Sequence, residues 1–294
     1  MGEALRNLNY DGTFVYQHGS QLSAMRIIHG VTANGERERL ISLTGAPREV
    51  IKNNDKVLCI LPDTRSVIVE KAGQSKPGFP HILPQQIDKI SDVYRFQLGR
   101  SGRISGRAAQ QILILPRDEY RYSYHIWIDN QTGMLLKADL RNNNHVIEQF
   151  MFTSLEFPQQ FDDSLFTPNV SQQEFSSYRY EQRIVEGPRG TGQDNWEVQA
   201  LPKGFALIGH QNKYQNKQSN PLHQLVYSDG LSTVSVFIEA LSGRQKAMQG
   251  AKAMGAVNSY STELNGLQIT AVGEVPEATV RMISESVRYK EASK

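Results

Sequence analysis

The residues best suited to chemistry in this chain lie between Gln97 and Arg107, QLGRSGRISGR, where three glycines and three arginines share eleven residues. Between Asp92 and Asp118 the sequence carries Arg95, Arg100, Arg103, Arg107 and Arg117 and no acid, a local charge of +5 in a chain whose formal net charge is +2. Guanidinium forks take phosphate or carboxylate oxygens two at a time, so the chemistry on offer is anion binding. The glycines at 99, 102 and 106 fit neither G-x-G-x-x-G nor G-x-x-x-x-G-K-[ST]. The adjoining run AAQQILILP reads as a strand, so the helix N-terminus of a nucleotide site is missing. The stretch reads as a glycine-eased turn between two strands, bearing a cluster of guanidinium groups.

Other reactive groups lack the spacing that catalysis needs. Seven histidines (18, 29, 81, 125, 145, 210, 223) form no H-x-H or H-E-x-x-H pattern, and in HVIE the spacing of His145 and Glu148 puts the pair on opposite faces of a strand. Ser101 and Ser105 sit beside glycines without the G-x-S-x-G elbow. Asp118-Glu119 and Asp162-Asp163 fall at turns, where acids are solvated or bond local backbone donors. The single Cys59 excludes an intrachain disulfide and every multi-cysteine metal site, and in KVLCILP it reads as a buried, inert thiol. No catalytic residue, metal site or cofactor is expected.

The elements that must position the arginines are strands. The first 165 or so residues alternate apolar and polar groups in short runs, from TFVYQH through SAMRIIHGVT, ERERLISLT, KVLCILP, RSVIVEK, YRYSYHIWID and GMLLKADL to HVIEQFMFTSLEF, broken by Asn34-Gly35, Asp63-Thr64, Gly133 and Asn142 to Asn144. This predicts an antiparallel meander of about nine to eleven strands, with helices only at Glu3 to Leu8 and Pro84 to Ser91. Alternation places Phe14 with Tyr16, Met25 with Ile27, Tyr122 with Tyr124 and Ile126, and Phe150 with Phe152. Val15, Ile28, Trp127 and Met151 fall on the opposite faces. Two arrangements satisfy this, a sheet with two packed faces or a curved sheet with a core on one side and an apolar concavity on the other.

At 294 residues the chain suggests two domains, on a prior of about 150 residues each. Residues 171–193 shift to Gln, Ser, Glu, Gly, Pro and Arg without a period and read as a linker. A second fold restarts at WEVQALPKGF, contains a hairpin tipped by Asp229-Gly230, and closes on a helix in PEATVRMISESVRY with Val280, Ile283 and Val287 on one stripe. Charge is balanced in both parts, 19 basic against 18 acidic residues up to 170 and 13 against 12 beyond, which argues against a nucleic-acid partner. No apolar run approaches the length that spans a bilayer, and no signal segment opens the chain, as expected of a processed start.

LNYDGTFVYQHG, LTGAPREVI, YRYSYHIWIDNQTGMLLKADL, EQFMFTSLEF, LPKGF, LVYSDGLSTVSVFIE and VGEVPEATVRMISESV together resemble the RseB/MucB family, periplasmic regulators of the sigma-E (AlgU-type) envelope stress response in Gram-negative bacteria. The resemblance runs in order through nearly the whole chain. It implies an α+β, mostly antiparallel protein, with an N-terminal unclosed β-barrel like that of the lipoprotein carriers LolA and LolB (1–170), its concave side plugged by helices, and a smaller C-terminal α+β domain (194–294). It further implies a non-enzymatic, periplasmic protein that binds the periplasmic domain of an anti-sigma factor of RseA or MucA type, shields it from the site-one serine protease, and is released by lipopolysaccharide or a related lipid. On that reading Phe14, Tyr16, Met25, Ile27, Tyr122, Tyr124, Ile126, Phe150 and Phe152 line a lipid concavity with Arg100, Arg103 and Arg107 at the head group. Trp196, Phe205, Leu225, Tyr227, Asp229 and Leu231 face the anti-sigma factor, along strand edges near 225–236. A lipid or lipoprotein carrier is the alternative that the fold permits, and the sequence leaves open a homo-oligomer.

Overall fold

The computed structural model describes residues 2–33, 35–54, 56–71, 90–170, 178–183, 196–213, 222–241 and 246–290. A short helix, α1 (Gly2–Asn7), leads into β1 (Tyr10–His18), β2 (Gln21–Thr32), β3 (Gly35–Ser42), β4 (Glu49–Asn53), β5 (Lys56–Leu61) and β6 (Ser66–Lys71). Then come β7 (Tyr94–Ile104), β8 (Arg107–Pro116), β9 (Ser123–Asp129), β10 (Leu135–Asn142) and β11 (His145–Glu156). With β12 (Arg179–Arg183) these strands form one twelve-stranded sheet in the order β12-β6-β5-β4-β3-β2-β1-β11-β10-β9-β8-β7. The order explains the shape. Each hairpin adds a neighbour to the last strand, and β1 meets β11 across the middle, so among the described residues β7 and β12 are left as open ends.

The sheet curls strongly. Ser105, at the tip of the β7–β8 hairpin, donates its hydroxyl to the carbonyl of Phe152 on β11, although β9 and β10 lie between them in the sheet. Around this curl Tyr10, Phe14, Ile27, Tyr94, Ile114, Ile126 and Phe152 are almost wholly buried in one core. Leu5 of α1 packs into the same core. Phe14, Phe150 and Phe152 form a triangle of edge-on rings with centroids 5.1–5.9 Å apart. Each such ring is worth about 1.5–3 kcal/mol on burial, with further gain from the edge-to-face geometry.

The second domain is built from β14 (Ala206–Lys213), β15 (Leu222–Ser228), β16 (Thr233–Ala240), β17 (Gly250–Met254), β18 (Val257–Leu264) and β19 (Leu267–Gly273), in the order β14-β15-β16-β19-β18-β17. Helix α2 (Glu277–Glu285) starts after Pro276, whose fixed φ suits a helix entrance, and buries Val280 and Ile283 against the sheet. Val287 is also buried in this core, but from β20 (Val287–Tyr289), which pairs with β13 (Trp196–Val198), and not from the helix stripe.

Three expectations are corrected. The stretch expected to be only a linker supplies β12, parallel to β6 and part of the first sheet. Cys59 is half-buried, not enclosed. The arginine-rich stretch is mostly strand, with the turn confined to Ser105 and Gly106, both at positive φ (49° and 77°), the signature of a two-residue hairpin turn. Residues 84–89 of the expected second helix lie outside the described residues.

Candidate functional site

Four regions carry the residues that could bind a ligand or a partner. The first is the aromatic face. Phe14, Ile27, Tyr122, Tyr124, Ile126, Phe150 and Phe152 come together as predicted, with Tyr16 and Met25 at the margin. They do not line an open concavity, however, because they pack on one another and on Leu135, Leu140 and Leu155 and leave at most a tenth of their surface exposed. Alternation reveals which side chains share a face, but not how tightly the sheet curls over it.

The arginine hairpin is the second region. Arg100 and Arg103 are exposed. Arg107 is not free: its Nε donates to Asp129 Oδ2 at 2.8 Å, and its guanidinium lies 4.9 Å from the centre of the Phe157 ring. Burial alone would raise the Asp129 carboxyl, but hydrogen bonds from Thr132 and Arg107 win and hold it below its ordinary value. The stretch is thus free of acids in sequence but not in space. Gly102 has a specific role, since a Cβ there would stand 2.7 Å from the Trp127 ring. Trp127 in turn lies beneath Arg100, whose guanidinium is 5.6 Å from its centre.

The third region is the junction between the domains. Arg121, wholly buried, donates from Nε to Asp229 Oδ2 at 2.6 Å. It also bonds Asp118 and the carbonyl of Lys203, and stands over the rings of Tyr94 and Phe205. Asp229 is equally buried. Its Oδ1 accepts from the N–H groups of Leu231 and Ser232 at 2.9 and 2.7 Å, and the Tyr94 hydroxyl reaches Oδ2 at 3.3 Å. Charges this deep are tolerated because every oxygen is bonded. A second contact joins Asn258 Nδ2 to the Tyr122 hydroxyl at 2.8 Å. Burial pushes the Tyr122 phenol up to about 12, although the Asn258 bond pulls the other way. Glu148 of β11 accepts from the Tyr16 hydroxyl at 2.7 Å and the Ala256 amide at 3.2 Å, and Thr279 of α2 donates to the Tyr120 carbonyl at 2.7 Å. Ala256 and Leu231 of the second domain pack into the first domain's core.

The fourth region is the set expected to face a partner, and the structure places most of it elsewhere. Phe205, Leu225 and Tyr227 are core residues of the second domain, Asp229 and Leu231 belong to the junction, and β15 and β16 are interior strands with no free edge. Trp196 and Leu231 keep partial exposure, Trp196 packed edge-on to Tyr289 with centroids 4.9 Å apart. The YSDGL pattern gave the hairpin, but nothing local signals that its Asp229 holds an arginine 108 residues away. Among the described residues, no group of three or more His, Cys, Asp or Glu is placed to hold a metal ion.

Comparison with known proteins completes the description. Residues 1–175 match the MucB/RseB N-terminal domain and residues 190–288 the MucB/RseB C-terminal domain. The chain is 28% identical over 294 residues to Sigma-E factor regulatory protein RseB of Haemophilus influenzae, covering 99% of this chain and 89% of that protein. It is 29% identical over 300 residues to Sigma factor AlgU regulatory protein MucB of Pseudomonas aeruginosa, covering 100% and 90%. In the MucA/MucB complex of Pseudomonas aeruginosa, a chain 27% identical superposes with a TM-score of 0.76 over 99% of this chain and 96% of its own. A second structure, MucB in complex with MucA(peri), gives 26% identity and a TM-score of 0.75 over 99% and 97%. In both of its domains, and in their order, this chain belongs to the MucB/RseB family of sigma-factor regulatory proteins.

Proposed function

We propose that this protein is a periplasmic regulator that binds the periplasmic domain of a membrane-bound anti-sigma factor and protects it from regulated proteolysis, without catalysing a reaction itself. The observation that carries this reading is the likeness, through both domains at once, to MucB held in complexes with MucA. The junction adds support. A buried ion pair, two rings stacked on Arg121 and five further hydrogen bonds fix the second domain on the first, which suits a protein that presents one composite surface to a partner. A lipid carrier would have less use for a second domain fastened in this way.

Release by lipopolysaccharide or a related lipid is the second half of the proposal. Acyl chains would enter the first domain by displacing the packed rings of Phe14, Phe150 and Phe152. Burial of acyl CH₂ groups, at about 0.8 kcal/mol each, supplies the driving force. The test combines the purified protein with the anti-sigma periplasmic domain and follows cleavage by the site-one protease with and without lipopolysaccharide. Slower cleavage that lipopolysaccharide restores is the expected result. Cleavage at the same rate with and without the protein would overturn the protective role, and protection indifferent to lipopolysaccharide would overturn lipid release.

A further inference from the structure

The open edge at β7 is a second recognition surface, and its chemistry points to one kind of occupant. Among the described residues no strand pairs with β7 on the side away from β8. The two-residue turn makes Ile104 and Arg107 a hydrogen-bonded pair, and at the far end the Arg117 amide donates to the Val93 carbonyl at 2.9 Å. Alternation between those ends turns the backbone of Phe96, Leu98, Ser101 and Arg103 toward the open side. The bulge between Leu98 and Ser101 is clamped from within, Gln110 Nε2 donating to the Gly99 carbonyl at 2.9 Å. Tyr94 is buried in the junction, and among the described residues the straight run Arg95–Leu98 is open to receive a strand.

Side chains along the same edge select what docks. Arg95, Arg100, Arg103 and Arg117 are exposed, and no acid occurs from residue 93 to residue 117. Arg100 is propped on Trp127. Leu98 is 73% exposed, the most exposed large apolar side chain described. Basic groups alone would only guard the edge against self-pairing. An exposed leucine between them, beside unpaired backbone, adds an apolar contact that guarding does not need. Like charges repel a second copy of this strand, and a lipid surface has no use for a row of unpaired amides.

We infer that β7 accepts an extended acidic peptide segment as an additional strand, its amides pairing with Phe96 and Leu98 and its carboxylates meeting Arg95, Arg100 and Arg103. The test uses a fluorescent seven-residue peptide alternating glutamate with valine, its counterpart N-methylated at every second amide, and a lysine–valine peptide. Anisotropy should show the first bound at least about tenfold more tightly than the other two. The triple variant Arg95→Glu, Arg100→Glu, Arg103→Glu, checked by its thermal midpoint for an intact fold, should lose roughly tenfold for the acidic peptide and gain affinity for the basic one. Equal binding of the N-methylated peptide would reduce the site to bare charge and overturn strand addition. Arginine-dependent binding of phosphatidylglycerol vesicles without peptide binding would overturn it in favour of a lipid surface. Self-association of the wild type that the triple variant abolishes would overturn it in favour of a second copy. Because the protease assay is separate, protection that survives in a protein unable to bind the peptide sinks the edge site and leaves the family function standing.

Discussion

Two groups of arginine divide this molecule. At the junction, Arg121 comes from RDEYRY, a sequence with acids on the same short stretch, and is wholly enclosed by Asp118, Asp229, the Lys203 carbonyl and two aromatic rings. On the hairpin, Arg100 and Arg103 come from a stretch without acids and face solvent. The conspicuous arginines are free to meet a partner, whereas the inconspicuous one is already committed to holding two domains together. Charge density along a sequence therefore does not rank electrostatic importance. Burial and the number of bonded partners do, because a desolvated charge is costly to leave unpaired and a solvated one is not.

Removing the enclosed arginine should have the largest effect. Arg121→Met leaves Asp229 charged and unpaired, and about 3–5 kcal/mol of stability should be lost in thermal or denaturant unfolding. Arg121→Met combined with Asp229→Leu should recover part of it, and additive losses would show that the two groups are not coupled. Next, Gly102→Ala drives a methyl group into Trp127 and should cost about 1–3 kcal/mol, with a change in tryptophan fluorescence. An unchanged midpoint and spectrum would mean that the Trp127 ring is not seated there.

Arg107 stands between the two groups. Arg107→Ala strips a partner from the buried Asp129 and should cost about 1–3 kcal/mol at neutral pH. Because the Asp129 carboxyl is held below its ordinary value, its contribution is complete above the ordinary carboxylate range and is lost as pH falls through the lowered value. Wild-type protein should therefore lose more stability on acidification than Asp129→Asn, and parallel pH profiles would remove Asp129 from the account. Smallest of all, Arg100→Ala and Arg103→Ala should move stability by no more than about 0.5 kcal/mol. A larger loss would place them with Arg121 and contradict the division.

Much of the fold was legible because its signals are local. Asp229-Gly230 marked a hairpin, alternation marked most strands of the first sheet though not β4 or the length of β7, and Pro276 with the Val280–Ile283 spacing marked the last helix. The residues that share the aromatic face were legible for the same reason. The features that escaped depend on contacts distant in sequence. That Asp229 meets Arg121, that Asp129 meets Arg107, and that β15 is an interior strand are all consequences of sheet order, which no window of residues contains. The open edge at β7 escaped likewise: its residues look like those of any paired strand, and only the meeting of β1 with β11 leaves it at the end.

β12 has a consequence for how far the two domains could ever part. Its pairing with β6 fastens Arg183 to the first sheet, while Trp196 is the first described residue of the second domain. The chain between them reaches at most about 45 Å when fully drawn out. Were the junction to open, the second domain would stay on this leash, at an effective local concentration of the order of millimolar. Reclosing would then be a unimolecular event, independent of how much protein is present, and a ligand that prises the domains apart would have to compete with it continuously.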